Sequence, residues 1–187
     1  MKEVQYIMKA TFLIGYMGSG KTTLGEPLAR LMGRQFIDLD SYIEQQAGMS
    51  AKEIFMTYGE AHFRDLERKA LREIADQDAV VACGGGTPLD PENMSLMNQL
   101  GVTVWLTTSV DRITSRLVLP EQRSKRPLLD ALNDEQIRTS VAAGLEARKE
   151  CYAKAQLQFD STYLESEEEI AATAQRLATL LIEESRK

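Results

Sequence analysis

Short apolar runs alternate with stretches of helical periodicity along the chain. The apolar runs fall at residues 10–14, 35–40, 79–83, 102–107 and 157–160, and each predicts a buried strand. Apolar residues at helical spacing occur at residues 22–32, 41–47, 50–58, 60–75, 90–100, 109–117, 133–155 and from 166 onward. This alternation predicts an α/β protein whose parallel sheet is covered by helices on both faces.

Local signals mark several of the predicted helix ends. Ser50 with Glu53, and Ser166 with Glu169, have the spacing of a capping box. Gly59 separates two helical segments, because glycine is unfavourable inside a helix.

The first predicted strand leads into a glycine-rich motif. Residues 15–22 read Gly-Tyr-Met-Gly-Ser-Gly-Lys-Thr, the G-x-x-x-x-G-K-[ST] pattern of a phosphate-binding loop, and a helix follows. Glycines let backbone N–H groups point at phosphate oxygens at the positive end of that helix. Lys21 supplies a charge for the β- and γ-phosphates, and Thr22 offers an oxygen to Mg²⁺. The alternative is a glycine-rich turn with a chance lysine, but the flanking strand and helix favour a nucleoside triphosphate site.

Two carboxylates end the second apolar run. Asp38 and Asp40 are two residues apart, so on a strand their side chains would share one face. At the carboxyl end of a parallel strand, one acid can orient magnesium-bound water while the other accepts a hydroxyl proton from a substrate. The alternative is a polar strand end at which Asp40 or Ser41 caps the next helix.

Three consecutive glycines follow the third apolar run. Gly84, Gly85 and Gly86 would let a ligand approach the backbone closely, although a flexible turn has the same composition. No acid of the Walker-B type ends this strand, so Asp38 is the candidate for holding the metal.

Arginines are the candidates for binding anionic groups. Arg64 and Glu67 lie three apart on a predicted helix, where Glu67 could hold Arg64 in place or the two could form an exposed ion pair of little value. A basic stretch contains Arg116, Arg123, Lys125 and Arg126, and Pro120 and Pro127 mark irregular backbone within it. As a mobile loop closing over phosphates it would exclude water and neutralise charge; otherwise it is a solvated loop.

Composition narrows the class of protein. The chain has 187 residues, 43% hydrophobic and 27% charged, which suits one soluble domain. A net charge of −6 argues against a broad nucleic-acid surface. We expect no membrane span and no secretion signal, because neither sequence pattern is present. Cys83 and Cys151 are too few for a disulfide framework and indicate reduced thiols in the cytoplasm.

Six motifs in sequence order resemble those of the shikimate kinase family. They are the phosphate loop, Phe36-Ile37-Asp38-Leu39-Asp40, Phe63-Arg64-Asp65-Leu66-Glu67, Cys83-Gly84-Gly85-Gly86, Arg126-Pro127-Leu128-Leu129, and Arg148 with Tyr152. The resemblance spans about residues 12–152. It implies a three-layer α/β sandwich of the nucleoside-monophosphate-kinase type, with a five-stranded parallel sheet of order 2-3-1-4-5. It also implies ATP-dependent phosphorylation of the 3-hydroxyl of shikimate, a step toward chorismate and the aromatic amino acids.

The resemblance assigns roles to individual residues. Catalysis would use Asp40, Lys21 and Arg126. ATP would bind to Gly18, Ser19, Gly20, Lys21, Thr22, Thr23 and Arg126, and magnesium to Thr22 and Asp38, partly through water. Shikimate would contact Asp40, Arg64, Gly85, Gly86 and Arg148. Residues 1–187 would form a single, monomeric kinase domain, with substrate-binding helices at about 41–75 and a lid at about 116–132.

Two matters stay open on the sequence. Whether Arg116 or Arg123 packs on adenine is undecided, because the spacing before the lid motif is irregular for the family. A related gluconate or nucleotide kinase is the second candidate, although Asp40, Arg64 and Arg148 favour a carboxylated polyol. A guanine-nucleotide switch is disfavoured, because it would need D-x-x-G and N-K-x-D segments that the chain lacks.

Overall fold

The computed structural model describes residues 10–123 and 131–186, with the side chain of Arg123 left out. The strands in these ranges are β1 (Ala10–Ile14), β2 (Gln35–Asp38), β3 (Ala79–Ala82), β4 (Gly101–Thr107) and β5 (Leu157–Asp160). The helices are α1 (Lys21–Leu31), α2 (Leu39–Ala47), α3 (Ala51–Ile74), α4 (Pro91–Leu100), α5 (Val110–Leu117), α6 (Pro120–Arg123), α7 (Asp134–Tyr152) and α8 (Glu167–Glu184), with a 3₁₀ turn at Thr87–Leu89.

Every strand pair in the sheet is parallel, and the strand order is β2-β3-β1-β4-β5. The central strand β1 aligns Leu13 with Ala82 on one side and with Val104 on the other. All five residues of β1 are buried, which explains its continuous apolar run. The predicted α/β class and the order 2-3-1-4-5 are confirmed.

Two apolar cores lie on opposite faces of the sheet. Phe12 and Ile14 of β1 belong to the core that also includes residues of α2, α3, α4, α5 and α7. Leu13 points to the other face, where it joins the core formed with α1 and α8. The helices therefore cover both faces of the sheet, as the three-layer prediction requires.

The structure confirms the predicted start of α3 and its break at Gly59, and it corrects two other local predictions. Ser50 and Glu53 form the complete capping box at the start of α3, and Gly59, with φ of 82°, interrupts that helix. At α8, Ser166 accepts the N–H of Glu169, but the Glu169 carboxylate accepts the N–H of Glu165 instead, so the second capping box is incomplete.

The second correction concerns β2, which ends at Asp38. Asp40 therefore lies in the first turn of α2, and the prediction that the two acids share a strand face is wrong. The reason is local: the Asp38 carboxylate accepts the N–H of Ser41 at 3.2 Å and so caps α2 itself.

The parallel sheet brings the candidate motifs to one edge. The phosphate loop follows β1, Asp38 ends β2 and Gly84 lies just beyond β3, and these three strands are neighbours. Carboxyl ends of parallel strands lie at the same edge, so the motifs meet there. Among the helices of the described ranges, none is both long enough and apolar enough to cross a membrane.

Candidate active site

The phosphate loop is shaped by backbone that favours glycine. Gly18 and Gly20 have φ of 78° and 95°, in the left-handed region that other residues rarely adopt. Lys21, the first residue of α1, turns back over the loop and donates from Nζ to the carbonyl oxygens of Gly15 at 2.8 Å and Tyr16 at 3.0 Å. An ammonium group is thus held directly above the loop, at the positive end of a helix.

A cavity of about 810 Å³ opens over this loop. Its lining includes the predicted nucleotide residues Gly18, Gly20, Lys21, Thr22 and Thr23. Ser19 is buried beneath the loop surface and does not line it. A volume of this size accommodates a nucleotide together with a small second molecule.

Both predicted acids line the same cavity, although they come from different elements. Burial raises the pKa of the Asp40 carboxyl to about 6, and the charges of Asp38 and Glu67 add to the rise while Lys21 opposes it. A carboxylate with a raised pKa is a stronger base, and general-base catalysis is most efficient when the pKa of the base lies near the working pH.

The donor set facing the loop fits a magnesium ion. Thr22 Oγ1 lies 3.4 Å from Asp38 Oδ2, so a hydroxyl and a carboxylate oxygen face one point of the cavity. Among the residues the structure describes, no group of three or more His, Cys, Asp and Glu side chains forms a metal cage. Mg²⁺ needs no such cage, because it binds through one or two protein oxygens together with phosphates and waters.

The three glycines after β3 lie against the predicted substrate residues. A Cβ atom on Gly84 would stand 2.8 Å from Asp40 Oδ1, one on Gly86 would stand 3.0 Å from Arg64 Nη2, and one on Gly85 would stand 3.7 Å from Arg148 Nη1. An acid from α2 and arginines from α3 and α7 therefore surround three consecutive residues of backbone. Arg64, Gly86 and Arg148 lie beside the cavity lining rather than in it.

Arg64 is held by a buried acid, so the alternative of an exposed ion pair is wrong. Its Nη1 donates to Glu67 Oε2 at 2.6 Å, and the Glu67 side chain is 1% exposed. Glu67 also accepts hydrogen bonds from Thr87 at 2.5 Å and Asn93 at 3.0 Å. Burial opposes the charge on Arg64, but the hydrogen bonds and charges of Glu67 and Glu60 outweigh it, so the pKa of Arg64 is raised.

Arg148 packs on one tyrosine and shares a carbonyl acceptor, that of Gly85, with a second. Its guanidinium carbon lies 5.1 Å from the ring centre of Tyr16, in cation–π contact. Tyr152, one turn later on α7, donates its hydroxyl to the carbonyl oxygen of Gly85 at 2.8 Å. Burial raises the pKa of the Tyr152 hydroxyl, which keeps it protonated as a donor.

Sequence reasoning missed several residues of the site. Tyr16 and Asn93 carry no local signal, because their partners lie far away in the sequence. Arg116, the first residue of the predicted lid, lies in the last turn of α5 and lines the cavity. The predicted roles of Arg126 and Lys125 lie outside the described residues, and so does the side chain of Arg123.

A parallel sheet of this order, with a phosphate loop after its central strand and acids and arginines beside it, defines a P-loop phosphotransferase acting on a small molecule. Residues 17–178 match the family model described as shikimate kinase. The chain belongs to the shikimate kinase family, and ATP is its co-substrate.

Individual relatives agree with the family match. The shikimate kinase of Parabacteroides distasonis is 41% identical over 175 residues, which cover 93% of this chain and 100% of the relative. A crystal structure of shikimate kinase from Bacteroides thetaiotaomicron has a TM-score of 0.86 at 41% identity, covering 92% of this chain and 98% of that one. Shikimate kinase from Acinetobacter baumannii, solved in complex with shikimate, has a TM-score of 0.77 at 32% identity and covers 96% of both chains.

Proposed function

We propose that this chain transfers the γ-phosphoryl group of ATP to the 3-hydroxyl of shikimate. The observation that carries the proposal is the gathering of Asp40, Arg64 and Arg148 around Gly84, Gly85 and Gly86, beside the phosphate loop. Shikimate has one carboxylate and three hydroxyl groups, so it needs planar cations at one end and an acid at the other. The solved complex of the Acinetobacter baumannii relative with shikimate supports this choice of substrate.

The arginines bind the carboxylate of the substrate. Arg64 stays charged, and its orientation is fixed by the buried Glu67. Arg148 offers a second guanidinium from α7, oriented by Tyr16, and the backbone of Gly85 and Gly86 lies between the two cations. A carboxylate gripped by two fixed cations places the ring in one orientation, which is the main requirement of phosphoryl transfer.

Asp40 accepts a hydrogen bond from the reacting hydroxyl and takes its proton as the phosphoryl group is transferred. Its raised pKa suits this role. Lys21 holds the β- and γ-phosphates above the loop formed by Gly18, Ser19, Gly20 and Thr22, and Thr23 continues this surface. We assign Arg126 to the transferring phosphoryl group on the family motif alone.

Thr22 and Asp38 hold Mg²⁺, partly through water. The ion, when bound, neutralises charge on the phosphate oxygens. Asp38 is fixed for this role by its cap bond to Ser41. We further propose one monomeric cytoplasmic domain over residues 1–187, with helices at 41–75 holding shikimate and a lid at 116–132.

An ADP-release assay with separate acceptors tests the function. The full chain is supplied with ATP, Mg²⁺ and one of shikimate, gluconate or AMP, and ADP release is followed by a coupled enzyme reaction. We expect release with shikimate only. Release driven by gluconate or AMP, with shikimate inert, would overturn the assignment.

A further inference from the structure

Arg148 lacks the kind of acidic partner that holds Arg64. Arg64 donates to the buried carboxylate of Glu67 at 2.6 Å. Within the part of the chain that the structure describes, Arg148 forms no ion pair, and the hydrogen bond from its Nη1 to the carbonyl oxygen of Gly85 is long, at 3.5 Å. The half-buried guanidinium of Arg148 therefore needs another contact to fix its direction.

The ring of Tyr16 supplies that contact. Tyr16 belongs to the phosphate loop, where its carbonyl oxygen accepts from Lys21 Nζ at 3.0 Å, and the residue is only 5% exposed. The guanidinium carbon of Arg148 lies 5.1 Å from the centre of its ring. An aromatic ring attracts a cation through its quadrupole and leaves the charge in place. Arg148 is thus held and keeps its charge for an anion, whereas a carboxylate in the same position would partly neutralise it.

The Tyr16 ring is itself fixed by a gap in the surface of α7. A Cβ atom on Gly144 would stand 2.4 Å from the Tyr16 hydroxyl oxygen, 2.8 Å from Cε2 and 2.9 Å from Cζ. The tip of the ring therefore occupies the place of a side chain at position 144. Glycine is unfavourable inside a helix, and this close approach gives a physical reason for its presence in α7. Gly144 and Arg148 are four residues apart, so the gap and the cation lie on one face of the helix.

We propose that Tyr16 is a positioning residue whose ring, seated against Gly144, directs Arg148 toward the carboxylate of the acceptor molecule. This role rests on the proposed function, since it needs an acceptor with a carboxylate. The backbone of Tyr16 belongs to the phosphate loop, but the residue does not line the cavity above that loop. Removal of the ring should therefore affect the acceptor and leave the nucleotide nearly unaffected.

Steady-state kinetics of the full chain with ATP, Mg²⁺ and shikimate measure this role. Tyr16→Leu removes the ring and keeps an apolar side chain. We expect the KM for shikimate to rise about 5- to 30-fold, as for the loss of a partly buried cation–π contact. Both kcat and the KM for ATP should stay within about threefold, because the lost contact acts on acceptor binding alone. Tyr16→Phe keeps the ring and should recover most of the loss.

A double-mutant cycle with Arg148→Ala tests whether the ring acts through the arginine. The kcat/KM for shikimate is taken from initial rates at low shikimate concentration, so weak binding does not prevent the measurement. In the Arg148→Ala chain, adding Tyr16→Leu should change kcat/KM by less than about twofold, because the contact is already lost. An undiminished effect would show that the ring acts elsewhere and would overturn the proposal.

Tyr163→Leu is the matched control. The ring of Tyr163 also lies near an arginine, with the guanidinium carbon of Arg112 at 6.0 Å, but Tyr163 is 51% exposed and does not line the cavity. The same chemical change at this second cation–π pair should leave the KM for shikimate within about twofold.

The outcomes separate this role from the proposed function. With a wild-type chain that phosphorylates shikimate, an unchanged shikimate KM in Tyr16→Leu would overturn the role of Tyr16 alone. An equal rise in the KM for shikimate and ATP would do the same, because it would indicate a disturbed loop. A wild-type chain inert toward shikimate would overturn the proposed function, and the role of Tyr16 with it.

Gly144→Ala decides the question if Tyr16→Leu does not fold. The new Cβ must displace the Tyr16 ring, while the sequence of the phosphate loop stays intact. The KM for shikimate should again rise with the KM for ATP nearly unchanged. An unchanged KM for shikimate would overturn the proposal.

Discussion

Asp40→Asn should make this protein more stable at neutral pH while strongly lowering its turnover. The Asp40 carboxyl has a pKa of about 6 in the folded chain, against an ordinary value of 3.8, and burial is the largest cause. The unfolded chain therefore releases this proton first as the pH rises. Between about pH 4 and pH 6 the folded state binds more protons than the unfolded state, so the contribution of Asp40 to stability falls with rising pH.

The size of the effect follows from the same pKa values. The pKa of Asp40 differs by roughly two units between the folded and unfolded chains, and each unit corresponds to about 1.4 kcal/mol. The gain in free energy of unfolding above pH 6 is therefore at most about 3 kcal/mol. Asp40 is partly exposed at the cavity, so solvent lowers the expected gain to about 1–3 kcal/mol. At pH 4 Asp40 is almost fully protonated in the folded wild-type chain and about half protonated in the unfolded chain, so most of the gain should be lost there.

Urea unfolding at pH 4, 5, 6, 7 and 8 measures this difference directly. Asp76→Asn is the control, because Asp76 is an exposed acid in the turn after α3, far from the cavity. The free-energy difference between Asp40→Asn and wild type should grow between pH 4 and pH 6, then level off. A difference that is flat with pH, or a less stable variant at pH 8, would refute the reasoning.

The activity of the wild-type chain and of Asp40→Asn tests the catalytic role of Asp40. In the wild-type enzyme kcat/KM for shikimate should fall below about pH 6, because protonated Asp40 no longer accepts the hydroxyl proton. Asp40→Asn should lose about 10²–10⁴ in turnover with its fold retained, the range for a general base. Near-normal turnover would remove Asp40 from the catalytic residues.

Three further substitutions test the neighbouring groups. Arg64→Ala should raise the KM for shikimate strongly and leave ATP affinity nearly unchanged; equal loss of both in steady-state kinetics would make Arg64 a structural residue. Glu67→Gln should destabilise the fold by about 1–3 kcal/mol in urea unfolding, since Arg64 loses its buried acid partner but keeps Glu60 at 3.0 Å, and a cost below about 0.5 kcal/mol would contradict the buried network. Gly84→Ala should lower kcat about 100-fold in the ADP-release assay, because the new Cβ would displace the Asp40 carboxylate, which lies 2.8 Å away. Unchanged kcat would show that Asp40 tolerates the shift.

The fold and the phosphate loop are determined by local sequence. The motif at residues 15–22 combines positive-φ glycines with a strand before it and a helix after it, and all of these signals are contiguous. The apolar run of β1 marks a fully buried strand in the same way. Such features depend on neighbours along the chain, so periodicity and composition reveal them without coordinates.

One local prediction was wrong because two neighbouring signals compete. The spacing of Asp38 and Asp40 suits a strand, but Asp38 also suits a helix cap, and the cap wins. Asp40 reaches the cavity from the first turn of α2 instead. Both acids still line one cavity, because β2 ends at the same edge of the sheet as the phosphate loop.

Only the tertiary structure decided which charged groups are buried and what they hold. From their spacing alone, Arg64 and Glu67 could form either an exposed ion pair or a buried one that holds Arg64 in place. The structure shows the buried pair, because Thr87 and Asn93, 20 and 26 residues beyond Glu67, donate hydrogen bonds to the Glu67 carboxylate. Arg116 could not be assigned from sequence, since its partner Gly18 lies 98 residues earlier. The physical reason is that desolvation and hydrogen bonding depend on what surrounds a side chain in space, and that environment comes from distant segments that the folded sheet brings together.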